Sequence, residues 1–383
     1  MNSPDARLGA PLHEVPAAMS TPVTESALLD ALKTVTDLNT GKDFVSSKAL
    51  RNLRIEDGDI AFQVELNYPA KSQHPALRKA LIAAARKVAG VQNVSVEITT
   101  RIVSHAVQRG VQLLPRVKNV IAVASGKGGV GKSTTTVNLA LALAAEGASV
   151  GILDADIYGP SQPMMMGISG RPESEDGKSI EPMENYGVQV MSIGFLIEPD
   201  QAMIWRGPMA TQALDQLLHQ TKWRELDYLL IDMPPGTGDI ALTLSQRVPL
   251  TGAVIVTTPQ DIALLDAKKG LKMFEKVGVP ILGIVENMAV YCCPNCGHTE
   301  HIFGADGGKR MAVEYGVAYL GALPLNLSIR EQADAGRPTV VADPEGEVAG
   351  IYKAVARQVA VTVAAKAKDF SARFPTITVS KGT

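Results

Sequence analysis

The chain has 383 residues, enough for two domains with a substantial core, and a formal net charge of −2. This charge gives no overall positive field to attract nucleic acid or anionic lipid. The sequence also contains no run of about 18 apolar residues, the length that a helix needs to cross a bilayer. The N-terminal stretch lacks the apolar segment of a signal peptide, and the three cysteines are clustered, which argues against a disulfide framework. We therefore expect a cytoplasmic protein with no nucleic-acid partner and no membrane partner.

The N-terminal part of the chain predicts a tail followed by a small α+β domain. Residues 1–21 are rich in proline, alanine and serine and lack periodicity, so we expect a disordered tail. The small domain is predicted over residues 22–100. Its expected elements are a helix capped by Thr24 or Glu25, the strand "IAFQVELNY", the helix "HPALRKALIAAARKVAGV" ended by Gly90, and the strand "NVSVEIT".

The rest of the chain predicts a larger α/β domain. Residues 101–117 have mixed polarity and are predicted to be a linker. Residues 118–370 contain the short apolar runs "VIAVAS", "VGILDA", "YLLIDM", "AVIVTT" and "PILGIVEN", separated by helical stretches. Runs that are apolar on both faces are typical of buried parallel strands, so we predict a doubly wound, mostly parallel sheet with ligands at the carboxyl ends of its strands. Residues 371–383 are expected to form a C-terminal tail.

The loop after the first of these strands has the pattern of a phosphate-binding loop. Gly126–Ser133 reads "GKGGVGKS" and matches G-x-x-x-x-G-K-S between a strand and a helix. Its glycines allow backbone N–H groups to converge on phosphates, Lys132 adds a cation for the β and γ phosphates, and the Ser133 hydroxyl can ligate Mg²⁺. ATP and Mg²⁺ are therefore the predicted cofactors, and a glycine-rich turn with an incidental lysine is the alternative. The predicted nucleotide-binding residues of the loop are Gly126, Lys127, Gly128, Gly129, Val130, Gly131, Lys132, Ser133 and Thr134.

The loop contains a second lysine, Lys127, that phosphate binding within one chain does not require. With it the loop resembles the deviant Walker A motif of the superfamily that contains ParA, MinD and the nitrogenase iron protein. The resemblance implies that Lys127 reaches the phosphates of a partner subunit, although a solvated loop lysine is the plainer interpretation. It also implies that Asp156 positions the attacking water and that Asn287 contacts adenine. Asp232 stands like a Walker B acid that holds Mg²⁺ through water, whereas Asp239 is expected to cap the next helix.

Longer motifs across residues 118–368 resemble the Mrp/ApbC family of ATP-binding iron–sulfur cluster carriers. They are "SGKGGVGKST", "LDADIYGPS", "WRGPM", "LDYLLIDMPPGTGD", "VENM", "CPNCG" and "IFG". The resemblance implies a homodimeric ATPase that obtains a cluster from scaffold or donor proteins and delivers it to apo iron–sulfur proteins. We expect its ATP turnover to be slow, because no strong general base is evident in the sequence. The small domain is similar to the MIP18 type, but it contains no cysteine, so we expect it to have an accessory or docking role.

The cysteines in "YCCPNCGH" admit three interpretations. A redox pair would need the first sulfur at a helix N-terminus, and this stretch is loop-like. A zinc site within one chain could use His298 and His301, but His298 follows the second sulfur too closely for the usual ligand spacing. In a two-fold dimer, Cys293 and Cys296 of both chains make a Cys₄ set, the normal ligation of a [4Fe–4S] cluster, and the family resemblance implies the same. Cys292 is expected to be a buried or spare thiol.

Two alternatives for the whole protein stay open beside the cluster carrier. One is a ParA/MinD-like positioning ATPase, although the alanine- and valine-rich C-terminal stretch fits a packed helix better than a membrane anchor. The other is an ATPase with a structural zinc knuckle. The polar insertion at residues 169–187 is predicted to be a surface hairpin or loop, and its sequence indicates no function.

Overall fold

The computed structural model describes residues 23–108, 110–197, 207–293 and 295–366. The chain divides into two compact units. The first consists of Met1–Val64 and Pro75–Ile98, and the second of Glu65–His74 and Thr99–Thr383. The tails expected at residues 1–21 and 371–383 lie outside the described residues. Trp205 and Arg206 of the "WRGPM" motif, and Pro294 of the cysteine motif, also lie outside the described residues.

The N-terminal elements form one three-stranded sheet with two helices. In chain order they are α1 Glu25–Lys33, β1 Leu50–Glu56, β2 Asp59–Leu66, α2 His74–Ala85 and β3 Asn93–Thr100. The sheet order is β1-β2-β3, and β2 alternates as predicted, burying Ile60, Phe62, Val64 and Leu66. Thr24 caps α1 by accepting from the Ala27 amide, as one of the two expected caps.

Two expectations about this part of the chain were wrong. The strand β1 was not predicted, because its side chains are largely exposed and polar and its pairing with β2 contains an irregularity between Arg51 and Arg54. The helix α2 ends at Ala85 rather than near Gly90, which instead takes the left-handed conformation (φ 88°) in a later turn. The element order is therefore helix, strand, strand, helix, strand.

An eight-stranded sheet dominates the larger unit, beside a separate two-stranded sheet formed by a short hairpin. The strands are β4 Val117–Ala124, β5 Val150–Asp154, β6 Met183–Asn185, β7 Val188–Ser192, β8 Leu226–Asp232, β9 Gly252–Thr257, β10 Ile281–Glu286, β11 Tyr291–Cys292, β12 Thr299–Glu300 and β13 Tyr319–Ala322. The order in the large sheet is β13-β10-β9-β4-β8-β5-β7-β6, and only β6 is antiparallel to its neighbour. The central strands are fully buried runs, and the predicted doubly wound, mostly parallel fold is confirmed.

Helices flank this sheet. They are α3 Lys132–Ala145, α4 Gln162–Met165, α5 Gly207–Gln220, α6 Asp239–Arg247, α7 Asp261–Lys276, α8 Gly307–Tyr315, α9 Leu327–Asp334, α10 Thr339–Ala342 and α11 Glu347–Ala364. The helix α3 is buried along most of its length because α11 packs against it, so the C-terminal stretch forms a packed helix as expected. Among the described residues no helix has the length and apolar character needed to cross a membrane.

Two segments without a sequence motif have defined places in the larger unit. In the segment predicted as a linker, His105 Nδ1 lies 2.9 Å from the Asn119 side-chain oxygen, and the Gln108 amide donates to the Ser245 carbonyl. In the polar insertion, β6 and β7 form a hairpin whose two loop residues, Tyr186 and Gly187, both have positive φ (53° and 74°), the pattern of a type I′ turn. The expectation of a hairpin there is confirmed for its C-terminal part.

Candidate functional site

The phosphate-loop sequence lies between the end of β4 and the start of α3. Gly129 and Gly131 have φ of 80° and 78°, a region that side chains with a Cβ disfavour, and Gly131 is the N-cap of α3. Gly126 is required for a different reason, since a Cβ there would lie 2.1 Å from the backbone carbonyl carbon of Asp266 in α7. The loop therefore presents backbone amides at the buried N-terminus of a helix, the arrangement that binds phosphate.

Lys132 lies at the centre of a cluster of acidic side chains. Its Nζ is 2.7 Å from Oδ1 of Asp232 and 3.9 Å from Oδ2 of Asp156, and it donates to the Ser133 hydroxyl at 3.2 Å. The Lys132 side chain is 6% exposed and that of Asp232 is fully buried. The structure thus brings four of the predicted site residues together where β4, β5 and β8 end.

Asp232 is held in place by two further donors. Gln162 Nε2 donates to its Oδ2 at 2.9 Å and lies 3.2 Å from the Ser133 carbonyl, and the Thr136 hydroxyl lies 3.1 Å from Oδ1. Sequence reasoning missed Gln162. The available signal was a polar residue opening a helix just after an acidic strand end, and this signal is too common to single out one residue.

Asp154, at the end of β5, is fully buried and accepts four hydrogen bonds. The donors are the amides of Asp156, Ser161 and Gln162 and the hydroxyl of Ser192. Burial, and secondly the charge of nearby Asp232, raises the pKa of Asp154 to about 7. Asp154 therefore fixes the course of the acidic loop that follows β5.

Asp156 extends from this loop toward the phosphate loop. Burial raises the pKa of Asp156, the Lys132 ammonium opposes that effect, and Asp232 adds to it. The loop after β8 is joined to the end of β4 nearby, because the Gly236 amide donates to the Ser125 carbonyl at 3.0 Å.

The expectation that Asp239 caps α6 was wrong. The N-cap is Gly238, and Asp239 is the first helical residue, where its charge complements the helix dipole.

Asn287 directly follows β10 and contacts the phosphate loop. Its amide donates to the Val130 carbonyl at 2.8 Å, and a Cβ on Gly131 would lie 2.2 Å from the same amide nitrogen. The Asn287 backbone amide in turn donates to the Thr257 carbonyl at 2.7 Å. The structure therefore gives this residue a role in holding the loop, and its contact with adenine stays a prediction.

The cysteines lie in the hairpin formed by β11 and β12. The amide of Cys293 donates to the His298 carbonyl and the amide of Gly297 donates to the Cys293 carbonyl, both at 2.9 Å. Backbone amides of Asn295 and then Cys296 lower the pKa of the Cys293 thiol. The hairpin turn thus keeps Cys293, which is half-buried, and Cys296, which is exposed, in one short loop.

Cys292 was expected to be either a buried or a spare thiol. It is exposed, so the first alternative was wrong and the second stays a prediction. The two histidines of this segment are both exposed. His301 Nδ1 lies 2.7 Å from the Ala289 carbonyl. Within the described part of the chain, no group of three or more histidine, cysteine, aspartate or glutamate side chains is placed to hold a metal ion. The described residues therefore do not form the single-chain zinc site.

Comparisons with known proteins agree with this geometry. Residues 116–360 match the family described as NUBPL iron-transfer P-loop NTPase, and residues 25–98 match the family described as iron-sulfur cluster assembly protein. The iron-sulfur cluster carrier protein of Pseudomonas fragi is 60% identical over 269 residues, which cover 70% of this chain and 94% of that protein. The protein of the same name from Escherichia coli K12 is 51% identical over 314 residues, covering 82% and 85%.

A solved structure shares the larger unit. It is a nucleotide-binding protein from Archaeoglobus fulgidus in complex with ADP, with 40% sequence identity and a TM-score of 0.53. The match covers 61% of this chain and 90% of that one.

Proposed function

The chain belongs to the family of NUBPL iron-transfer P-loop NTPases, and on that premise we propose that two copies of it share one [4Fe–4S] cluster and transfer it to apo-proteins under the control of ATP. The family membership confirms the resemblance to ATP-binding cluster carriers that the motifs indicated. The chain is accordingly a nucleotide-binding P-loop NTPase and a member of the iron–sulfur cluster carriers. The residue roles, the cluster type and the dimer that follow are our proposals.

The nucleotide pocket is proposed to use the loop and the acidic cluster described above. Backbone amides from Gly126 to Thr134 would bind the phosphates, and Lys132 would exchange its contact with Asp232 for the β and γ phosphates. The Ser133 hydroxyl and Asp232 would hold Mg²⁺, which supplies charge neutralisation at the phosphates. The convergence of that hydroxyl, that carboxylate and the Lys132 ammonium supports this assignment, because it places a cation and two oxygen ligands within a few ångströms.

Hydrolysis is proposed to be slow and to depend on the dimer. Asp156 would orient the attacking water, and Lys127 would reach the phosphates of the partner subunit. Lys127 is half-buried in the loop, and within the described part of the chain the ion pairs of Asp156 and Asp232 are made by Lys132, so Lys127 does not duplicate the role of Lys132. A slow rate is expected because phosphoryl transfer here depends on positioning rather than on a strong general base.

The observation that carries the cluster proposal is the exposed turn that presents two sulfurs. The amide hydrogen bonds of the turn hold Cys293 and Cys296 on the same short loop, and amides that stabilise a thiolate favour binding of iron. Two such turns facing each other across a two-fold axis supply four thiolates, the usual ligand number of a [4Fe–4S] cluster. The cluster is cargo in this scheme, since two bonds per chain and an exposed site suit transfer.

The remaining assignments follow from the same scheme. Apo iron–sulfur proteins would receive the cluster, scaffold or donor proteins would supply it, and neither nucleic acid nor a membrane is proposed as a partner. A cytoplasmic location is proposed because free, clustered thiols need a reducing compartment. We propose that the small domain, residues 22–100, has a docking role, that residues 101–117 connect it, and that the carrier domain spans residues 118–370.

Anaerobic reconstitution with iron and sulfide tests this function. Wild type and the Cys292→Ala variant should each bind about four iron atoms per dimer, whereas Cys293→Ala and Cys296→Ala should lose most of the iron and the cluster absorption. Cys292→Ala is the matched control because it removes a neighbouring exposed thiol. A protein that stays monomeric on size-exclusion chromatography with a full complement of iron would contradict the shared site, and a colourless zinc protein would favour the zinc-knuckle alternative.

A further inference from the structure

The C-terminal end of β10 contacts the phosphate loop through one side chain. The strand ends at Glu286, and the next residue, Asn287, donates to the Val130 carbonyl in the middle of that loop. Val130 and Asn287 are both buried, at 3% and 7% exposed. Because a buried hydrogen bond is costly to leave unmade, a displacement of the Val130 carbonyl should move Asn287 with it.

The same strand end also holds the segment that carries the cysteines. The chain leaves β10, forms the β11–β12 hairpin and returns at α8, where the Gly308 amide donates to the Glu286 carboxylate. A Cβ on Gly308 would lie 3.0 Å from the Glu286 Cβ, so the helix start is packed tightly on the strand end. The entry is fixed as well, since the Ala289 amide donates to the Leu323 carbonyl at 3.0 Å.

His301 connects the far side of the hairpin to this strand end. Its Nδ1 lies 2.7 Å from the Ala289 carbonyl, and a carbonyl only accepts, so Nδ1 carries the proton. Ala289 is two residues from Asn287, and Met288 between them has a φ of 56°, a conformation that costs a methionine about 1 kcal/mol or more. Hydrogen bonds on both sides hold this tight turn, so it transmits a displacement rather than absorbing it.

We propose that Asn287 and His301 are positioning residues that couple the phosphate loop to the cysteine hairpin. The connection runs from the Val130 carbonyl through the Asn287 side chain and the turn at Met288 to Ala289 and His301. Occupation of the loop by phosphate shifts the Val130 carbonyl, and the hairpin follows, which changes how Cys293 and Cys296 are presented. This coupling rests on the proposed function only in that nucleotide binds to the loop.

Cysteine alkylation measures this coupling without a cluster. Metal-free protein is treated with iodoacetamide, with and without saturating MgADP, and modification of Cys293 and Cys296 is followed by mass spectrometry. The variant His301→Ala removes the donor to Ala289, and His301→Asn restores a donor near the position of Nδ1. His298→Ala is the control, because it removes the other imidazole of the hairpin. Binding of a fluorescent ADP analogue is measured for every variant.

Wild type, His298→Ala and His301→Asn should each show an alkylation rate that changes about fivefold or more with MgADP, the lower range of typical coupling between sites. His301→Ala should bind the ADP analogue as wild type does and lose most of this response. Rescue by asparagine separates the coupling from a general loosening of the hairpin.

Three results would overturn the inference. Wild type that binds the analogue without any change in alkylation, or His301→Ala that responds as wild type does, would exclude the connection while leaving the iron-binding experiment unaffected. Failure of wild type to bind any nucleotide would remove both this coupling and the nucleotide part of the proposed function.

Discussion

Replacement of Lys132 should destabilise the larger unit before any effect on ATP is considered. The Lys132 ammonium is the cation that contacts the fully buried Asp232, and Asp154 is fully buried nearby. The variant Lys132→Ala would therefore leave buried carboxylates without their counter-charge. Nucleotide-free protein should already show this effect, because the ion pair is formed within one chain.

The size of the effect follows from burial and from the pKa of Asp154. Breaking a buried ion pair by removing one partner costs about 3–5 kcal/mol. Burial raises the pKa of Asp154 to about 7, so this second acid is already partly protonated near neutrality and adds less repulsion. We therefore expect a loss of about 3 kcal/mol at pH 8. The loss should be smaller at pH 6, because Asp154 is then mostly protonated and adds less repulsion to the unpaired charge.

Urea unfolding followed by tryptophan fluorescence measures this loss, since Trp223 is buried in the core of the larger unit. The control is the double variant Lys132→Ala with Asp232→Asn, which removes the orphaned charge and keeps an acceptor for Gln162. It should recover at least about half of the lost stability. A Lys132→Ala protein within about 0.5 kcal/mol of wild type, or losses that add in the double variant, would refute the reasoning.

Three further predictions concern the same strand ends. Gly131→Ala should cost about 2–3 kcal/mol in the free energy of unfolding, because it places a Cβ at φ 78° and 2.2 Å from the Asn287 amide; Asn287→Ala in the same chain should return part of that loss. Asn287→Ala alone should weaken binding of a fluorescent ADP analogue by about fivefold, since the loop loses one buried hydrogen bond; unchanged affinity would contradict this role. The raised pKa of Asp154 means that its contribution to stability is fully present below about pH 4 and is lost as the pH rises through about 7; urea unfolding of Asp154→Asn should show a flatter dependence over that range, and parallel curves would argue against it.

The features that the sequence predicted well are those set by neighbouring residues. The phosphate loop is determined by the backbone of Gly129 and Gly131 and by the steric limit at Gly126, and a local pattern records such requirements. The central strands were equally clear, because strands buried on both faces are continuous apolar runs. The strand β6 is three residues long at an edge, too short for a periodic pattern of its own, so the sequence indicated only a hairpin or loop in that region.

Contacts between distant parts of the chain were not predictable in the same way. Gln162 reaches Asp232 across 70 sequence positions, and Asn287 reaches Val130 across 157. Both depend on the order of strands in the sheet, and a pattern of residue types in one segment does not determine that order. The prediction of the N-cap of α6 was wrong for a local reason, since an aspartate after glycine fits the N-cap and the first helical position equally well.

Burial divides the two chemical tasks of the molecule. The nucleotide site places Lys132 and Asp232 where the effective dielectric is low, so a small displacement of charge has a large energetic effect there. In the cysteine hairpin Cys296 is exposed and Cys293 is half-buried, and backbone amides lower the pKa of Cys293, so in the proposed scheme its thiolate would be available to iron and to the thiols of an acceptor. With two thiolates from each chain, a shared cluster would lose half of its ligands whenever the two hairpins part. Transfer would then be governed by the separation of the hairpins, which the proposed coupling through the end of β10 would allow nucleotide to change.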